Sequence, residues 1–126
     1  MSGAKAVLGS GIEALKEELV ADAVEDYTDL SFYVASVEEA FGVSDSSELM
    51  LYTAAVVHSL LDDDLVRAGY LTKEGFIPWD EDAAGAVERI LAGWRELGRR
   101  PHLWEIAWFE ATDKGTSYAE EALSSS

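Results

Sequence analysis

Between Thr53 and Leu71 the chain reads TAAVVHSLLDDDLVRAGYL: an apolar helical run, then Asp62-Asp63-Asp64, then an alternating segment from Leu65 to Leu71. Three carboxylates stand where a helix presents its negative end, which favours stopping the helix there. The alternation that follows has the period of a strand. The stretch therefore predicts a helix, a tight turn and a strand, and the rest of the chain must pack around that unit. The helix extends back to Glu48 through Leu49, Met50, Leu51, Ala54, Ala55, Val56, Val57, Leu60 and Leu61. Being apolar nearly all round, it is expected to be the central, most buried helix. Ser46 and Ser47 are its candidate N-caps.

Upstream, Ile12 to Phe41 contains no Gly or Pro, and apolar residues recur at Ile12, Leu15, Leu19, Ala23, Tyr27, Leu30, Val34, Val37 and Phe41. Steps of three and four make one helical stripe. The reading favoured is a single long or kinked helix ended by Gly42, with Tyr27-Thr28-Asp29 as the place where it would split in two. The stripe is a core face, or alternatively the seam of a homodimer.

Downstream of the central unit, Lys73-Glu74-Gly75 reads as a turn before Phe76-Ile77. Pro78-Trp79-Asp80 opens a helix from Glu81 to Leu97, with Asp80 as N-cap and Ala84, Val87, Ile90 or Leu91, Trp94 and Leu97 on one face. Gly98 and Pro101 end it, and Glu96 precedes Arg100 in the favourable order for an ion pair. Trp104 to Glu110 alternates as a strand, with Trp104, Ile106 and Trp108 on one face and Leu60, Leu61 and Trp108 expected in one core. Asp113-Lys114-Gly115 reads as a turn, and Thr116 as the cap of a short last helix holding Tyr118, Ala119, Ala122 and Leu123.

With 126 residues, 48% of them hydrophobic, the chain has the size and material of one domain, 1–126, with loose ends at 1–11 and 124–126. It has no Cys, no run resembling a signal-peptide core and no segment long enough for a membrane span. A soluble, cytoplasmic protein without membrane attachment is expected. Net charge is −16, divided as −12 over residues 1–64 and −4 over 65–126. Phosphate backbones are bound by Lys and Arg, so no nucleic acid is expected as a partner, and a basic protein is the partner such a charge would attract.

The chemistry-bearing residues are sparse. His58 and His102 are the only histidines, and there is no Cys to join them in a zinc site. The chain has no GxSxG elbow, Walker loop or GxGxxG, and Asp62 to Asp64 lacks the oxygen-ligand spacing of an EF-hand. No enzymatic activity, metal or cofactor is expected. Two charged groups remain as candidate partner contacts. One is Asp62, Asp63 and Asp64, read as a solvated turn with a cation site or basic docking point as the alternatives. The other is the positive cluster Arg95, Arg99 and Arg100, read as completing the helix end and pairing with nearby acids, with phosphate binding as the alternative.

Leu60-Leu61-Asp62-Asp63-Asp64-Leu65-Val66-Arg67 resembles the end of the recognition helix and the start of the wing in winged helix-turn-helix domains. Trp108-Phe109-Glu110-Ala111-Thr112-Asp113-Lys114-Gly115 is similar to the returning wing strand and the turn before a C-terminal helix. Phe76 to Asp80 and Trp94 to Pro101 also resemble segments of a group of small actinobacterial proteins. The resemblance implies an α+β, mostly helical fold: a winged-helix-like core, a small antiparallel sheet of two or three strands, and the Asp80–Leu97 helix inserted in the wing. In this alignment the family's second helix is fused with its third or missing. A DNA reader presents Lys and Arg on that third helix, and neither lies between Glu48 and Asp62. The reading reached is a non-enzymatic protein-interaction module that has lost DNA contact. Its alternatives are an acidic regulator or immunity-type protein masking a basic partner, and a winged-helix transcription regulator.

Overall fold

The computed structural model describes residues 2–124, with side chains from Gly11 onward. Helix α1 (Ser2–Glu25) is followed by a two-residue strand β1 (Thr28–Asp29), helices α2 (Leu30–Phe41) and α3 (Ser46–Asp62), and the hairpin β2 (Val66–Thr72) and β3 (Gly75–Pro78). Then come α4 (Ala83–Leu97), β4 (Trp108–Ala111) and α5 (Asp113–Ser124). The chain is α+β and mostly helical. Its four strands form one antiparallel sheet in the order β1-β4-β2-β3, so the small sheet is one strand larger than the largest expected. The loose ends expected at 1–11 and 124–126 fall largely outside the described side chains.

The Ile12–Phe41 stripe is two helices, not one. At the join, the Asp26 carboxylate accepts from the Tyr27 amide (2.8 Å), a local bond that competes with helical hydrogen bonding. Thr28 and Asp29 then pair with Phe109 and Trp108, and the Leu30 amide donates to the Ala107 carbonyl (3.0 Å). A sheet edge supplied from the far end of the chain thus outcompetes three residues of helix. Both halves of the stripe still reach the core: Leu15, Leu19 and Ala23 from α1, and Leu30, Val34 and Val37 from α2, are buried. Tyr27, at the break, is exposed. Helix α2 therefore ends at Gly42 (φ 63°) as an element of its own, and Val43 to Asp45 separate it from α3.

Helix α3 buries Leu49, Thr53, Val56, Val57 and Leu60, while its opposite side exposes Leu51 (66%), Ala55 and His58. It is central but not buried all round. Asp45, not Ser46 or Ser47, caps it, accepting from the Glu48 amide (3.1 Å). Helix α3 thus starts two residues earlier than expected, and helix α4 two residues later. Its cap is Asp82 rather than Asp80 (2.8 Å from the Gly85 amide), Ala84 is exposed, and Ala86, Ile90, Leu91 and Trp94 are buried. The Arg89 guanidinium lies 4.1 Å from the Trp79 ring and donates to the Tyr70 hydroxyl (2.7 Å) and to Glu81, clamping α4 to the hairpin. Asp113-Lys114-Gly115 is the first turn of α5, capped by Thr112, whose hydroxyl accepts from the Gly115 amide (2.9 Å). The cap expected at Thr116 therefore sits four residues earlier.

The strand expected from Trp104 to Glu110 forms only from Trp108 onward. Its buried face is the opposite of the one expected: Phe109 is fully buried and stacks on Tyr33 (centroids 4.4 Å apart), whereas Trp108 is half-buried on the other side of the sheet. Leu60 belongs to the core, Leu61 packs at its margin, and Trp108 is not part of it.

Candidate functional site

Cross-strand partners share a face of a sheet. The register lays Thr28, Phe109 and Ala68 in one row toward the helices, and Asp29, Trp108, Gly69 and Pro78 in the adjacent row on the outer side. Gly69 is required in that outer row: a Cβ there would collide with the Ile77 carbonyl and come within 2.9 Å of the Phe76 ring. Phe76 lies over this gap and stacks parallel on Tyr27 (5.8 Å, 4°). Beside it opens a cleft of about 570 Å³ lined by Tyr27, Phe32, Leu71, Leu103 and Trp108, with Asp22, Glu25, Asp26, Thr28 and Asp29 completing its wall.

One side of this cleft is the loop from Arg99 to Ala107, the most heavily braced irregular segment of the fold. Arg99 grips Glu105 with two parallel bonds of 2.8 Å, and Glu105 also accepts from the His102 amide (2.6 Å). The Arg99 bonds first, and the His102 amide second, hold the Glu105 carboxyl down at about 2. Arg100 reaches across to Glu38 (3.0 Å). Buried Asp29 accepts from both the Ser31 hydroxyl and the Trp104 amide, each at 2.9 Å. These bonds hold Trp104 and Ile106 at φ 71°, a region that side-chain-bearing residues seldom adopt and a β-branched one least of all. The strain has a visible product: Leu103 and Trp104 project into solvent, 60% and 70% exposed. Strain held in place by its surroundings is a mark of working sites, and an exposed Trp on a rigid mount is the side chain most often found at the energetic centre of protein interfaces.

The acidic wall carries unrelieved charge. Among the described residues no Lys or Arg pairs with Asp22, Glu25 or Asp26. Burial, and then repulsion from Glu25, raises the Asp22 carboxyl above its ordinary range.

The expected site residues are placed elsewhere or otherwise employed. Asp62 is exposed at the end of α3. Asp63 lies in the exposed turn, its side chain 51% exposed, and also binds the ammonium of Lys16 at 2.5 Å; that lysine is only 3% exposed, with Glu13 at 3.7 Å as its second carboxylate. Asp64, at φ 57°, turns the chain, and its carbonyl accepts from the Thr112 hydroxyl. Arg95 is exposed in the last turn of α4, while Arg99 and Arg100 are held by Glu105 and Glu38. The ion pair expected between Glu96 and Arg100 is replaced by the one to Glu38. No ion pair joins the aspartates to the arginines among the described residues, and His58 and His102 stand exposed on different elements. Among the described residues no three His, Asp or Glu side chains gather closely enough to hold a metal ion.

Sequence reasoning missed Tyr27, Asp29, Phe32, Leu103 and Trp104 as a group. The available signal was Tyr27-Thr28-Asp29 as the weak point of the stripe. Nothing in the local pattern distinguishes a loop at positive φ from the strand that Trp104, Ile106 and Trp108 imitate. No protein-family model, curated protein or solved structure matches this chain.

Proposed function

We propose that this chain is a non-enzymatic protein-interaction module on a winged-helix-like core that does not contact DNA, and that it binds its partner through the Leu103–Trp104 loop. Two helices separated by a glycine-containing turn, α2 and α3, followed by antiparallel strands β2 and β4, support the winged-helix part of this reading. In that arrangement α3 stands in the recognition position. Its exposed residues Glu48, Leu51, Ala55, His58 and Asp62 include no Lys or Arg, which argues against a reader of DNA. Two of the arginines that a transcription regulator would need, Arg99 and Arg100, are occupied by carboxylates.

The observation that carries the proposal is Trp104, 70% exposed and fixed at a left-handed backbone by a buried aspartate. Affinity capture from the native cell with the full chain and with Trp104→Ala tests it. A specific partner retained by the parent and lost by the variant, with thermal unfolding unchanged, is the expected result. Equal retention by both, or recovery of nucleic acid in place of protein, would overturn it. A second reading, an acidic regulator that masks a basic surface, is favoured by the unpaired carboxylates Asp22, Glu25 and Asp26 beside the same loop.

A further inference from the structure

We propose that the cleft beside Trp104 receives a cationic side chain, arginine or lysine, from a basic segment of the partner protein. This inference rests on the interaction-module reading and adds the chemistry of what the cleft accepts. The lining joins two properties that few ligands satisfy together. Tyr27, Phe32 and Trp108 offer aromatic surface, and Leu71 and Leu103 extend the apolar area. Asp22, Glu25 and Asp26 border it without a cationic partner among the described residues.

An aliphatic anchor would satisfy the aromatic surface but would strip water from the carboxylates at a cost. An anionic ligand would be repelled by them. A guanidinium or ammonium on an apolar stem satisfies both, because its charge faces the carboxylates while the stem and cation rest on the rings. At about 570 Å³ the cleft has the size of a ligand pocket and exceeds the needs of a single side chain, so a segment of several residues fits better than an isolated cation. Trp104 and Leu103 stand next to the cleft, so a partner segment carrying an apolar residue beside a basic one would engage both.

The test is a titration of the isotope-labelled full chain with N-acetylated hexa-arginine amide, followed by NMR at low salt, with hexa-glutamate amide as the control. Saturable shifts should concentrate at Tyr27, Phe32 and Trp108 and weaken as salt is added. Replacing Glu25→Gln with Asp26→Asn, both exposed positions, should weaken binding about tenfold. Glu88→Gln with Glu96→Gln removes the same charge from exposed positions on α4 and should leave the affinity within about twofold, since distant charges are screened. Equal weakening by the two pairs would mean diffuse attraction to an acidic protein, and an absence of saturable shifts in the cleft would mean no site; either result overturns the proposal. Trp104→Ala separates the two levels. If hexa-arginine maps to the cleft while capture of a partner is indifferent to Trp104, the loop reading fails alone. If partner capture needs Trp104 but hexa-arginine does not bind, the cleft proposal fails alone.

Discussion

Replacing Asp63 with Asn should destabilise the fold, although the change removes a carboxylate from the unfavourable end of a helix. Lys16 is 3% exposed and its ammonium meets Asp63 at 2.5 Å, while Asp63 itself is 51% exposed. At this separation the attraction is worth about 2 kcal/mol with the dielectric of water and about 7 kcal/mol at the effective value of 20 used for pairs near a protein surface. The half-exposed carboxylate places the pair nearer the lower figure. Asn keeps a carbonyl that can accept from Lys16, and Glu13 remains at 3.7 Å, which recovers part of the loss. Relieving the helix end returns a few tenths of a kcal/mol, roughly 0.3 to 0.5. The expected net effect is a loss of about 1 to 2 kcal/mol, because a buried ammonium left short of its counter-charge keeps its desolvation cost. Urea unfolding followed by far-UV circular dichroism measures it. With a slope of about 1.5 kcal/mol per molar, the midpoint should fall by roughly 1 M. A midpoint that stayed level or rose would return Asp63 to the solvated turn read from the sequence and refute the structural role of the pair.

Four further substitutions separate parts of the fold. Thr53 is buried and its hydroxyl has no hydrogen-bond partner among the described atoms, so Thr53→Val should raise stability by about 1 kcal/mol; a loss would reveal a partner for that hydroxyl. Leu60→Ala should cost about 3 to 5 kcal/mol as a core deletion and Leu61→Ala only about 1 to 2, since Leu61 sits at the margin; equal costs in chemical denaturation would contradict the packing described. The Glu105 carboxyl is depressed from its ordinary 4.5 to about 2 in the folded protein. Its contribution is therefore complete above pH 4.5 and is lost as the pH falls toward 2. Protection factors, which correct for the slowing of intrinsic amide exchange in acid, should fall over that interval at the amides of the Arg99–Ala107 loop in the parent. In Glu105→Gln they should already be low and independent of pH; a pH dependence of protection unchanged by the substitution would remove Glu105 as the brace.

What could be read from the sequence was whatever is encoded within one element. The Thr53–Leu71 unit, the Gly42 and Gly98 helix ends and the buried residues of the apolar stripe follow from periodicity and from glycine's tolerance of positive φ, and the structure has them. Apart from the misplaced caps of α3, α4 and α5, which are local, the errors share a cause: each depended on a partner distant in the chain. The long helix breaks because β4 offers Thr28 and Asp29 a ladder, which cannot be seen from Ile12 to Phe41 alone. The ion pair of Asp63 was invisible because Lys16 lies 47 positions away, and the acids that hold Arg99 and Arg100 could not be named because they belong to the loop and to α2. The cleft was illegible for the same reason: its lining comes from α1, β1, α2, β2, β4 and the braced loop. Trp104 was misread because an alternating pattern was taken for a strand where a buried aspartate imposes a left-handed turn.

Photo-crosslinking from a reactive residue placed at Leu103, carried out in the native cell, would show whether the Leu103–Trp104 loop and its cleft meet the proposed basic protein partner. The expected result is one dominant protein adduct, lost when Trp104→Ala is added, whose crosslinked segment carries Arg or Lys. An adduct with nucleic acid, or a spread of protein adducts indifferent to Trp104, would contradict it.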